Sequence, residues 1–565
     1  MGAGLQSYFF FNGQVVTVDK QFSSHQAVLI TNGRIAGIGS EQDLRPNLPE
    51  HTVEIDLAGR TLMPGFIDTH GHIALFGLDE LKVKLTGAAT KQEILSRIEQ
   101  AVMDAKEGDW IVTMPIGDPP YFLNAETIRQ SGEIPSIDEL DAIAPNNPVY
   151  IQAPTNRVPN FAVLNSAAMA AADITANSKL SVNTVVQVDE QQQPTGIIEG
   201  AMQPIYNFDP LYQQLEQAAP RFDYDDVRDG IAALAPHFIK HGTTTLLEAH
   251  LTTPDELRAY AELREAGKLP LRIFYTFEID FTKSLDEIRE FLRTVRFAAN
   301  GGFGNDELKV IGVSIGLDGP YWHGAAVNDR PYRGPFGESV DPGPLMDRAH
   351  YDAIVDLAAE MNFRLHAEAA GRGSIEIALS AFERINDIHP IKNKRYVLEH
   401  CEFPTEEQIR RCKILGVAPT TSTNFIWGKG EEVYRERLGE DYCDVAIPLR
   451  NWIDGGVPIA QSTDWGPHEA LFTLWQSIAR QAGLSGKVIG AAQSITREEA
   501  IRAFTINAAW ALKMENEIGS IEIGKAADLI IVNGDILHCP TDELREMQID
   551  LTMIGGAVVY ERGSA

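Results

Sequence analysis

Two histidines one residue apart, in Pro64-Gly-Phe-Ile-Asp-Thr-His-Gly-His72, are the pair in this chain best suited to meet a single metal ion. Side chains alternate faces along an extended strand, so His70 and His72 point the same way, and Gly71 between them lets backbone come close to a bound group. The apolar run from Leu62 to Asp68 reads as a buried strand that delivers them at its C-terminal end. Three further candidates follow apolar runs in the same manner: His366 in Arg364-Leu-His-Ala-Glu368, His400 in Val397-Leu-Glu-His400, and Asp464 in Ile459-Ala-Gln-Ser-Thr-Asp464. Taken singly, such a histidine reads as a hydrogen-bonded structural residue and such an aspartate as a helix cap. In this order along one chain they make a ligand set for a divalent metal. Glu248, ending Thr243-Thr-Thr-Leu-Leu-Glu248, is a further candidate as a carboxylate bridge or as a partner of the ligands. Glu368 shares the parity of His366 and is read as a ligand or as a proton donor to substrate.

A metal held by imidazole and carboxylate lowers the pKa of bound water toward about 7 and so supplies hydroxide near neutral pH. Asp464 is then the general base that takes the proton and the general acid that returns it to a leaving nitrogen. His400 or the metal polarises the electrophilic carbon. Zinc suits these ligands, and iron or manganese would fit them as well. Tyr321-Trp-His323, Trp427 and Trp465 follow apolar runs and place aromatic surface over the site, which favours a small substrate with an apolar or aromatic substituent.

These residues must be positioned by the elements that precede them. Short apolar runs alternate with helical patterns: Phe222 to Lys240 leads into Thr243–Glu248, Tyr351 to Met361 into Phe363–His366, and Arg395–His400 into Thr405–Leu415. Such alternation implies a parallel sheet, and a closed barrel suits the length. In a closed barrel the active groups lie at the C-terminal ends of the strands, where these histidines and acids recur. Both ends of the chain read as short strands and turns, at Phe9–Asn12, Val15–Asp19, Ala27–Thr31 and Arg34–Gly39, and again at Ala527–Val532 and Leu551–Tyr560. The expected fold is α/β: a distorted (β/α)8 TIM barrel over 62–512, with a small β-sandwich from 1–61 plus 513–565. Residues 75–220 interrupt the alternation with Pro, Asn and Gln and are read as an insertion capping the barrel mouth.

Acidic residues exceed basic ones, 79 to 48, for a net charge of −31, which opposes binding to nucleic acid and anionic membranes. The four cysteines lack the close pairing of a zinc ribbon or a disulfide framework and read as core thiols. The N-terminal residues lack a basic n-region, a long apolar stretch and a small-residue cleavage site, and no apolar run approaches the roughly 20 residues that span a bilayer. A soluble, cytoplasmic protein is expected.

On these motifs the chain resembles the amidohydrolase superfamily, and within it the branch called amidohydrolase family 3, or YtcJ-like. The pattern Pro-Gly-Phe-Ile-Asp-x-His-x-His is met at His70 and His72. A histidine after a middle strand, a Glu-His pair and a late Asp follow at His366, His400 and Asp464. Ala500–Ala509 and Ile518–Leu529 are similar to the family's exit from the barrel, and Val163-Leu-Asn-Ser-Ala167 and Pro194-Thr-Gly196 also fit the branch. The resemblance implies a hydrolase of C–N bonds in amides, N-acyl, N-formyl or cyclic amide compounds, with one or two divalent ions, most readily zinc, and a homodimer as the assembly. Two positions depart from the pattern. Ser314, in Gly312-Val-Ser-Ile-Gly-Leu-Asp-Gly319, stands where the branch often carries a metal-bridging lysine, and Lys309 faces away from it on parity. Asn160 stands where the insertion often carries a histidine. A deaminase acting on a ring or amidine carbon through one metal is the second enzyme reading, favoured by Ser314 and Glu368. A catalytically silent, regulatory protein is the third, and it predicts eroded ligands where all five principal positions are filled.

Overall fold

The computed structural model describes residues 6–176, 178, 184–202, 210–250, 253–299 and 304–564. Its centre is one eight-stranded sheet, all parallel, in which each strand pairs with the next in chain order. The strands are β1 (Phe66–Gly71), β2 (Thr243–Glu248), β3 (Arg272–Glu278), β4 (Leu308–Gly316), β5 (Leu365–Ala369), β6 (Val397–His400), β7 (Ala418–Thr421) and β8 (Ala460–Gln461). They are buried along nearly their whole length, so both faces are covered. The helix before β2, Tyr224–Lys240, shows how the outer layer is specified. A capping box joins Asp223 to Asp226 at its start, and Ile231, Leu234, Ala235 and Phe238 bury one face at helical spacing.

The barrel is drawn closed between its first and last strands by polar bonds. Asp68 accepts from the Thr463 amide at 3.1 Å and the Thr463 hydroxyl at 2.5 Å, Thr69 donates its hydroxyl to Gln461 O at 2.8 Å, and the Asp464 amide donates to His70 O at 3.0 Å. These contacts bring the two ends of the sheet together at the level where His70 and Asp464 stand.

Both chain ends build the small sandwich, as the sequence implies. One sheet has the order Arg34–Gly39, Ala27–Thr31, Tyr8–Phe11, Val53–Asp56. The other joins the ends, in the order Ala557–Glu561, Ile549–Ile554, Leu529–Val532, Thr61–Pro64, Gln14–Val16, Ser24–His25. Phe10, Val15, Val28, Ile30, Leu62, Leu529, Ile531 and Met553 fill the space between the sheets. A buried ion pair ties sandwich to barrel: Arg272 at the start of β3 meets Asp528 at 2.6 Å and 3.0 Å, and Asp528 also accepts from the Gly555 amide at 2.7 Å. Removing one partner strands the other charge in the interior, a loss of roughly 3–5 kcal/mol. Arg272→Ala is therefore expected to lower the urea midpoint sharply, and Arg272→Ala combined with Asp528→Ala to recover part of the loss. Equal midpoints for wild type and Arg272→Ala would dispose of this interface account.

The segment 75–220, recognised in the sequence only by its broken rhythm, has regular structure of its own. A five-stranded sheet runs in the order Thr184–Val188, Pro194–Gly200, Asn160–Leu164, Val149–Ile151, Ile111–Thr113, with separate apolar clusters on its two faces. Asn160 is an internal strut here. Its amide nitrogen donates to Pro154 O at 2.7 Å and Met202 O at 2.6 Å, and its oxygen accepts from the Met202 amide at 2.9 Å. Among the described residues no helix is long and apolar enough to cross a membrane. Cys401, Cys412 and Cys443 are buried thiols, Cys539 is partly exposed, and all four are free.

Candidate active site

His70 is the last side chain but one of β1, and His72 is the first residue beyond it. Their rings meet edge to face at 4.9 Å between centroids. Donor atoms of His70, His72 and His250 all lie within 4.8 Å of one another, as do those of His70, His400 and Asp464, and those of His250, Glu368 and His400. Asp464 Oδ1 is 3.3 Å from His72 Nε2, Asp464 Oδ2 is 3.5 Å from His400 Nδ1, and Glu368 reaches His400 Nε2 at 3.3 Å and His250 Nδ1 at 3.5 Å. Five of the residues singled out in the sequence thus converge: His70, His72, Glu368, His400 and Asp464.

His250 is the member that reasoning from sequence missed. It stands two residues past Glu248, just beyond the end of β2, as His72 stands just beyond β1. His366 stands further back. Its Nδ1 lies 3.1 Å from Glu399 Oε1, and it belongs to none of the close donor groups among the described residues. Glu399 bridges toward the others, with Oε2 3.6 Å from His70 Nδ1. Glu248 lies outside those groups too. Its carboxylate accepts from the Ile73 amide at 3.0 Å, from the Ala74 amide at 3.3 Å and from the Tyr260 hydroxyl. It thereby fixes the turn that carries His72. Ser314, at the register position beside His366, is paired through its hydroxyl with Thr276 at 3.2 Å.

Two of the converging residues hold backbone that side chains seldom adopt: His400 has φ of 69° and Asp464 φ of 50°. Left-handed positions of this kind cost roughly 1–3 kcal/mol and persist where surrounding bonds impose them. For Asp464 the amide bond to His70 O is such a constraint.

Burial shapes the charges. It pulls His250 down to about 4, and burial together with the neighbouring imidazoles, His400 first, holds His70 well below the ordinary histidine value. Burial also opposes charge on His400, but the hydrogen bond to Glu368 and the charge of Asp464 outweigh it and push His400 up to about 9. Burial raises Asp464 and Glu368, yet the surrounding histidines, His72 foremost for Asp464 and His250 for Glu368, leave both carboxyls below the usual range. Burial opposes charge on His72 as well, but the hydrogen bond to Asp464 raises its pKa, so two buried carboxylates face two imidazoles whose proton affinity is raised, and a divalent cation in the same place would substitute for such protons. Among the described residues neither ring nitrogen of His70 has a hydrogen-bond partner, although both are buried. Imidazole nitrogens and carboxylate oxygens converging with unspent lone pairs are the donor set that zinc, iron or manganese takes.

The cavity they line is small, about 40 Å³, and its remaining wall includes Trp322, His323, Phe425, Lys429, Trp465 and, from the 75–220 segment, Thr155. Of the aromatic positions singled out in the sequence, Trp322, His323 and Trp465 face this cavity. Tyr321 packs against Phe403 and Tyr332 and bonds Asn328, while Trp427 packs on Phe472 and Trp475. Lys429 was not anticipated. Its ammonium is neutralised by Glu402 at 2.6 Å and lies 3.6 Å from the centre of the Phe425 ring.

If Glu248 serves to aim His72, Glu248→Gln is expected to keep the fold and to lose roughly 10–100-fold in metal affinity and activity, the usual effect of removing a ligand's support. Equilibrium dialysis with kinetics checks this, and unchanged values for both would reject the positioning role.

The sequence profile described as the amidohydrolase family matches residues 53–560. N-substituted formamide deformylase of Arthrobacter pascens is 26% identical, over 99% of this chain and 99% of its own length. YtcJ of Bacillus subtilis is 24% identical, over 97% of this chain and 98% of its own. Among solved structures, a metal-dependent hydrolase from Pyrococcus furiosus superposes with a TM-score of 0.72 at 20% identity, covering 94% of this chain and all of the other.

Proposed function

Because the chain belongs to the amidohydrolase family, whose chemistry is hydrolysis of non-peptide C–N bonds with a divalent metal, we propose that its substrate is a small N-substituted formamide or closely related amide bearing an apolar or aromatic group on nitrogen. The observation that carries this reading is a cavity of about 40 Å³ beside Asp464, His400 and Glu368, walled by Trp322, Phe425 and Trp465. Space on that scale admits a few waters and so favours a small acyl group such as formyl beside these residues. The aromatic wall suits the substituent on the leaving nitrogen. The relative named N-substituted formamide deformylase supports the same class.

We assign metal ligation to His70, His72, His400 and Asp464, with His250 and Glu368 completing the set, and zinc as the ion. His366, the remaining candidate, acts through Glu399 on His70. When bound, the ion supplies Lewis acidity and acidifies water. Asp464 takes a proton from the attacking water and later delivers it to the amide nitrogen as the C–N bond breaks, one group serving as base and then acid. Glu368, 3.3 Å from His400 Nε2, fixes the orientation of the His400 ring toward the ion it would help to hold. Trp322 and Trp465 shield the site from bulk water and hold the substituent.

A single-ion deaminase is the second reading, favoured by Ser314 at the register position next to His366, where a hydroxyl cannot bridge two ions. Assay of the metal-loaded protein on N-benzylformamide, N-butylformamide, N-acetylbenzylamine, a cyclic amide and an aminopyrimidine separates the two. Formate and amine released fastest from N-benzylformamide is the expected result. Ammonia from the aminopyrimidine with no formate from any formamide would overturn the proposal in favour of deamination.

A further inference from the structure

His237, His241 and Glu469 form a second cluster, away from the strand ends. His237 and His241 are four residues apart at the C-terminal turn of the Tyr224–Lys240 helix, where the His241 amide donates to His237 O at 3.2 Å, so the helical turn continues and both rings leave the same face. The rings lie 4.6 Å apart between centroids. Glu469, the residue preceding the Ala470–Ala479 helix, brings Oε1 to 3.5 Å from His237 Nε2, and donor atoms of all three residues lie within 4.8 Å of one another.

We propose that His237, His241 and Glu469 are a second site for a divalent transition metal, of the zinc class, separate from the catalytic cavity. Two imidazoles from one helical turn and a carboxylate from a neighbouring helix are the donor types and spacing that zinc takes, with ligand atoms about 3.3 Å apart around a tetrahedral ion at 2.0–2.1 Å. The side chains are partly exposed, so small rotations close the gap from the present separations. The C-terminal end of the Tyr224–Lys240 helix adds a favourable field for a cation. Three protein donors leave a fourth position for water or for an anionic group of a bound molecule.

The site borders a groove of about 510 Å³ lined also by Phe76, Phe122, Trp465 and Phe472. Trp465 and Thr155 are walls of both this groove and the catalytic cavity. A metal here would stand on the outer side of the Trp465 partition. The assignment does not depend on which reaction the inner cavity performs.

The test is a difference in metal content. Wild-type protein and His237→Ala/His241→Ala, both full-length, are dialysed against excess zinc and then analysed by mass spectrometry, with circular dichroism as a check on folding. Wild type is expected to retain one zinc per chain more than the variant, so the catalytic ions cancel in the comparison. Glu469→Gln, which spares both histidines, is expected to weaken the additional site at least tenfold in a zinc titration. Cobalt(II) added to wild type is expected to give visible bands of a low-symmetry site that the double variant lacks. Equal zinc content in wild type and double variant, or no loss of zinc affinity in Glu469→Gln, would overturn the proposal.

Discussion

Asp464→Asn is expected to lower kcat by roughly 10²–10⁴-fold, the range associated with loss of a positioned general acid–base group. The substitution keeps size and shape, and asparagine tolerates the left-handed φ of 50° at this position, so the backbone bond from residue 464 to His70 O survives. What disappears is the carboxylate whose two oxygens face His72 at 3.3 Å and His400 at 3.5 Å. Steady-state kinetics beside thermal unfolding distinguishes the cases: turnover should collapse while the folded protein persists. A variant with wild-type turnover would end the assignment of proton transfer to Asp464.

Metal removal should act on activity and stability together. Chelation is expected to bring turnover to background, and returning zinc to restore it. An ion at about 1,000 times its dissociation constant contributes roughly 4 kcal/mol to the folded state, so the chelated protein should also unfold at a distinctly lower temperature. His70→Ala removes a residue that belongs to two of the three close donor groups at the catalytic cavity. It should therefore show low activity from the outset and an unfolding temperature that chelator moves less than it moves that of wild type. If chelator leaves wild-type activity intact, the metal mechanism fails.

The architecture was legible because its signals are local. Apolar runs beside helical patterns announce β1, β2, β5, β6 and β8, and turn chemistry at the chain ends announces the sandwich, while β3 (Arg272–Glu278) went unread. The site was legible where a ligand terminates such a run, as at His70, His400 and Asp464. It was less legible where spatial closeness depends on how the barrel curves. His366 and Glu368 are both on β5 with the same parity, yet only Glu368 reaches His250 and His400, because His366 sits one step lower and meets Glu399 instead. Glu248 likewise has the type and position of a ligand, but its oxygens are already committed to the Ile73 and Ala74 amides. The aromatic positions split for a similar reason. Adjacent residues Tyr321 and Trp322 turn opposite ways from one short turn, and sequence spacing alone does not fix the direction of either.

The antiparallel pairing of Thr61–Pro64 with Leu529–Val532 sets a clock on synthesis. Pro64 and Leu529 are direct partners, about 465 residues apart in the chain. At translation rates of about 5–20 residues per second, the first of these strands waits on the order of 25–90 seconds for its neighbour to be made. During that interval the Thr61–Pro64 strand, apolar at Leu62 and Met63, offers an unpaired edge immediately upstream of the histidine pair. This sandwich strand, just ahead of the barrel's first strand, is therefore made early and paired on that side last.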